Sequence, residues 1–120
     1  DMGVLQRLPM IVGQGFARQM AFTAANYGAR DAEKMGLVNE VFADQATLMI
    51  GADKLATQIA ANAPLALVCT KEVLNFSRYV NVYEGMTLAI QKNATLLFSD
   101  DLKEAMIAFL EKRPADFKGK

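Results

Sequence analysis

The chain has 120 residues, room for one small domain, and 52% of them are hydrophobic, which is rich for a unit that would expose much of its surface if it stood alone. Lys and Arg number 13 and Asp and Glu 13, so no basic excess draws in nucleic acid or an acidic membrane surface. There is no histidine, which excludes a Ser-His-Asp triad and a His-ligated metal, and the single Cys69 can form neither an internal disulfide nor a zinc cluster.

Helix signals dominate from the start. Leu5, Leu8 and Val12 fall close to one helical face, Pro9 marks a start or a kink, and Gly13 can take the left-handed conformation that ends a helix. A second helix is predicted over Phe16–Phe22, with Thr23 to Gly28 as an extended piece and turn. Ala29–Met35 reads as a short helix packed through Ala29 and Ala32 and terminated by Gly36. Val38–Phe42 alternates apolar and polar residues and is the clearest strand signal, with a second short strand expected near Phe22–Ala24.

Four further helices follow with clear punctuation. Asp44 is the N-cap of one that carries Leu48, Ala52, Leu55 and Ile59 and stops before Pro64. Pro64 suits the first turn of the next, which runs to about Tyr79. Asn81 and Glu84 have capping-box spacing for a third, whose face is Val82, Met86, Ile90, Asn93 and Leu97. Ser99 precedes the last, whose acidic start at Asp100-Asp101 and basic end at Lys112-Arg113 counter the helix dipole; Pro114 breaks it. No apolar run reaches the roughly 18 residues of a spanning helix, so no membrane partner is expected. With one cysteine and no signal-peptide pattern at the start, a cytoplasmic location is the expectation, a targeting segment further upstream remaining open.

Two segments carry a family resemblance. Gly3 to Gly13 reads G-x-x-Q-R-L-P-x-x-x-G, and Ala29 to Val41 reads A-x-x-A-x-x-x-G-L-V-N-x-V. In this order and spacing they resemble the enoyl-CoA hydratase/isomerase (crotonase) superfamily, over the whole chain but only over the carboxyl-terminal half of such a protein. The resemblance implies a mainly α fold, the helical carboxyl-terminal half of a crotonase-type α/β spiral with one or two short strands. Residues 1–43 would then end the crotonase core and residues 44–120 form a helical trimerisation region. The apolar stripes beginning at Val82 and Leu102 fit that role, and a trimer or hexamer is expected.

The chemistry implied is that of acyl-CoA thioesters. Two backbone N–H groups stabilise a thioester enolate, and one or two carboxylates move protons, a task a carboxylate suits once an apolar pocket raises its pKa. Asp1, followed by Gly3 and Leu5, looks like the proton-shuttling carboxylate of dienoyl-CoA isomerases. Family dehalogenases place a nucleophilic Asp in a similar stretch, and the bland alternative is a helix cap. In the last helix, Ala108-Phe109-Leu110-Glu111-Lys112-Arg113 resembles the segment that approaches the adenine and 3′-phosphate of CoA held by a neighbouring subunit, which assigns those contacts to Phe109 and Lys112. CoA is part of the substrate, and no separate cofactor or metal is implied. Arg7 is read as structural, Lys71 as a snorkelling side chain without a role. Ala24-Ala25-Asn26 departs from the family's T-G-R turn.

The resemblance also implies a missing amino-terminal half that supplies the β-β-α spiral, both oxyanion-hole N–H groups, most of the CoA pocket and a second carboxylate. Without it the chain is expected to be inactive. Two alternatives stay open: a helical association module without chemistry, and an enoyl-CoA hydratase that works through glutamates upstream. A G-G-x-D/E segment ahead of Asp1 would favour an enzyme.

Overall fold

The computed structural model describes residues 2–120. Seven helices occur among them: α1 (Val4–Arg7), α2 (Pro9–Thr23), α3 (Ala29–Lys34), α4 (Gln45–Ala60), α5 (Pro64–Ser77), α6 (Val82–Leu96) and α7 (Asp100–Glu111). The chain divides into two compact units, Asp1–Ala52 and Asp53–Lys120.

In the first unit, Pro9 occupies the opening position of α2, so α1 ends at Leu8 and a new helix begins where the ring's fixed φ suits it. Gly13 interrupts α2 at φ 77°, ψ 166°. This is not the left-handed helix end expected there but an extended positive-φ conformation essentially open to glycine alone. Val12 and Ala17, on either side of that break, are buried. Gly36, at φ 76°, closes α3 as expected, with the Leu37 N–H donating to the Ala32 carbonyl (2.8 Å) and its own N–H to that of Glu33 (3.0 Å).

Both expected strands are corrected: no strand occurs among the described residues. Phe22 and Thr23 complete α2, where the Thr23 hydroxyl donates to the Gln19 carbonyl (2.7 Å), and Ala24 takes the left-handed cap position at φ 48°. Val38–Phe42 finds no ladder partner, and a lone strand cannot satisfy its backbone. Instead the Val41 N–H donates to the Glu33 carboxylate (3.2 Å), and the Phe42 ring lies directly on Gly51 of α4, in the space a β-carbon there would occupy.

The helix punctuation from Asp44 onward is as expected. The Asp44 carboxylate accepts the Thr47 N–H (2.8 Å) and hydroxyl (2.9 Å), which holds it below the usual carboxylate range. Asn81 and Glu84 form the reciprocal capping box of α6, and the Ser99 hydroxyl accepts the Leu102 N–H at the start of α7. In the second unit α5 and α6 pack as a pair. They approach closely where Gly85 faces Ser77, and Lys92 of α6 pairs with Glu72 of α5. Ala108 is the buried apolar residue of this unit. The α6 face beginning at Val82 is open, with Val82 80% and Ile90 66% exposed.

Candidate functional site

Asp1 lies outside the described residues. Two positions further on, Gly3 turns the chain at φ 93° into α1, whose apolar side chains border a hollow of about 470 Å³. Val4, Leu5 and Leu8 from α1 and its cap, with Met20, Ala21 and Ala25 at the end of α2, line it. An apolar lining of this size suits a hydrocarbon ligand and would raise the pKa of a carboxyl group facing it. Arg7 is exposed and has no ion-pair partner among the described residues. Lys71 is likewise exposed.

The stripe Leu102, Ala105, Met106 and Phe109 on α7 divides in two. Leu102 and Ala105 turn towards a hollow of about 260 Å³ that they share with Leu65, Leu96 and Phe117. Met106 and Phe109 face outward, Phe109 83% exposed. Lys112 closes α7 in the left-handed conformation, φ 54°, ψ 39°. The Arg113 N–H donates to the Ala108 carbonyl (3.0 Å) and the Lys112 N–H to that of Phe109 (3.3 Å), a turn that usually carries glycine. The Lys112 ammonium is exposed and forms no ion pair among the described residues. An open aromatic ring and a free ammonium three positions apart are suited to a planar base and a phosphate.

Behind this pair is a cluster that the sequence patterns did not single out. After Pro114 the chain runs back beside α7. Glu104 receives both guanidinium branches of Arg113 (2.5 and 3.0 Å) and the Asp116 N–H (2.9 Å). Asp101, only 3% exposed, accepts the Lys118 N–H (2.7 Å) and the Gly119 N–H (2.9 Å). The main-chain oxygen of Lys120 accepts the N–H groups of Asp100 (2.7 Å) and Asp101 (3.1 Å) in the first turn of α7. The Asp101 and Arg113 side chains thus serve the tail as well as the helix dipole. Acidic residues in a first turn and a basic residue at an end have that local explanation, so the longer pairing left no separate signal.

Arg113 and then the Asp116 N–H hold the Glu104 carboxyl down to about 2, from an ordinary value of 4.5. A depressed pKa means the clasp is fully stabilising above about 4.5 and weakens as pH falls from there towards 2. The expected result is a Glu104 carboxyl carbon that titrates near 2 by NMR, with the Asp116 amide shift following it. Titration near the ordinary value would mean the pair does not persist in solution.

Comparison with known proteins gives a consistent picture. The profile of the family described as enoyl-CoA hydratase/isomerase matches residues 1–120. The chain is 44% identical over 118 residues to a mitochondrial Delta(3,5)-Delta(2,4)-dienoyl-CoA isomerase of Dictyostelium discoideum, covering 98% of this chain and 40% of that protein. It is 41% identical to a peroxisomal Delta(3,5)-Delta(2,4)-dienoyl-CoA isomerase of Arabidopsis thaliana, covering 98% and 42% respectively. Among solved structures it superposes on an enoyl-CoA hydratase from Bacillus anthracis with a TM-score of 0.92 and 31% identity, over 98% of this chain and 45% of that one. The chain therefore spans less than half the length of the proteins it matches.

Proposed function

This chain belongs to the enoyl-CoA hydratase/isomerase family, and from that premise we propose that it is the carboxyl-terminal part of a dienoyl-CoA isomerase acting on CoA thioesters by carboxylate acid/base chemistry. The observation that carries the reading is the apolar hollow at Val4, Leu5, Leu8 and Met20, which opens immediately after Asp1 in the chain. In this reading the hollow holds the acyl chain, and Asp1 exchanges a proton with it as the double bonds move. The enolate oxygen is stabilised by N–H groups from the segment ahead of Asp1, and a second carboxylate there completes the proton transfer. The two isomerase relatives, at 44% and 41% identity, support isomerisation over hydration. Their names place them in mitochondria and peroxisomes, so they lend no support to a cytoplasmic location. No helix among the described residues is long and apolar enough to cross a membrane.

Further residue roles belong to the same proposal. Phe109 and Lys112 contact the adenine and 3′-phosphate of CoA in a neighbouring subunit, and CoA enters only as part of the substrate. Residues 44–120 form the association region of a trimer or hexamer; the open faces of α6 and α7 support this, because apolar surface of that extent is rarely left to water. The alternative of an enoyl-CoA hydratase using upstream glutamates has the likeness to the Bacillus anthracis enzyme in its favour.

The test compares the 120-residue chain with the full-length polypeptide, each assayed on a 3,5-dienoyl-CoA and on a 2-enoyl-CoA. The expected result is conversion of the 3,5-diene to the conjugated 2,4-diene by the full-length protein and no turnover by the shorter chain. Hydration of the 2-enoyl thioester without diene migration would replace the isomerase reading with the hydratase. Inactivity of both proteins on both substrates would leave the association module.

A further inference from the structure

Lys112 sits in the left-handed backbone conformation, which is strained for a residue with a β-carbon, at a turn position that glycine usually fills. Such a residue persists where its surroundings over-determine it. Here the surroundings are identifiable. The next residue, Arg113, is held on both sides, by Glu104 and by Glu111 (2.6 Å). The tail beyond is fastened at Asp116 by Glu104 and at Lys118 and Gly119 by the buried Asp101. Its end returns to the first turn of α7, and Gly119 lies against Pro64 at the start of α5. Every anchor is on the helix or on its neighbour, and none involves the Lys112 side chain. The whole tail therefore fixes the direction in which a lysine leaves the helix while its ammonium stays available.

We propose that Glu104, through Arg113 and the clasped tail, is a positioning residue that pre-sets Lys112 for a phosphate-bearing ligand. The inference rests on the reading of Lys112 as a contact of the CoA 3′-phosphate and adds the device that orients it. Glu104 touches no ligand. Its contribution is to remove the freedom that a lysine at an unsupported helix end would lose on binding.

The experiment measures kcat and KM of the full-length enzyme with the same acyl group carried on CoA and on 3′-dephospho-CoA. Lys112→Ala is expected to raise KM for the CoA thioester about tenfold, the worth of one charge-assisted hydrogen bond, and to leave the dephospho substrate unaffected. Glu104→Gln is expected to produce the same selective rise, about threefold or more, with kcat unchanged. If Lys112→Ala leaves the preference for the 3′-phosphate intact, the reading of Lys112 is wrong and the positioning role falls with it. If Lys112→Ala abolishes that preference while Glu104→Gln preserves it, only the positioning inference is overturned. A rise in KM of equal size on both substrates marks general structural loss and also overturns it. Should Glu104→Gln fail to fold, Arg113→Gln breaks the same pair from its more exposed end, and the same ratio decides.

Discussion

Replacing Asp1 by Asn in the full-length protein is expected to lower kcat for diene isomerisation by about 10²–10⁴, the usual worth of a positioned acid/base group. That range corresponds to about 2.7–5.4 kcal/mol of barrier, more than a surface helix cap supplies in any form. The substitution keeps the shape and removes the proton-transfer group, so KM for the CoA thioester should change little. The hollow lined by Val4, Leu5 and Leu8 is the reason to expect so large an effect. In the proposed reading, a carboxylate serving an acyl chain held there both takes and returns the proton. If hydration of a 2-enoyl thioester survives the change while isomerisation is lost, Asp1 is specific to the isomerase. Near wild-type rates in both assays would make Asp1 a cap and transfer the chemistry to carboxylates upstream.

Gly13→Ala should destabilise the protein by about 1–3 kcal/mol, the cost of forcing a β-carbon into an extended positive-φ conformation. The penalty is one of dihedral strain, because a β-carbon built at Gly13 meets no atom within 4 Å. Gly15, two residues on and also without a neighbour within 4 Å, lacks the positive φ of Gly13 and lies inside α2. Gly15→Ala should therefore stabilise by about 0.5–1 kcal/mol, through helix propensity and a less flexible unfolded chain. Denaturant unfolding of the two variants beside the parent checks the opposite signs. A Gly13→Ala protein as stable as Gly15→Ala would mean that α2 runs straight through residue 13 in solution. In that case the break between the buried Val12 and Ala17, ahead of the part of α2 whose end lines the hollow, would not exist.

Local chemistry was legible in the sequence because its causes are local. Asp44, Asn81 with Glu84, and Ser99 cap helices through groups within three residues of one another, and Pro64 and Gly36 act through their own dihedral limits. The family was legible for a related reason: the segments Gly3–Gly13 and Ala29–Val41 hold several such constraints in fixed order. Strand formation was not, since alternation at Val38–Phe42 states a preference that only a partner strand can satisfy. Among the described residues Glu33 and Gly51 took up that segment instead. The same limit hid the clasp. Asp101 and Glu104 find their partners up to 18 residues away, at main-chain N–H groups whose position no side-chain pattern encodes. Helix ends and turns were thus determined by the sequence by itself, through interactions within one turn of the chain. The left-handed lysine at 112 and the tail that holds it were decided by tertiary structure alone, because the groups that offset its strain meet only when the chain folds back on α7.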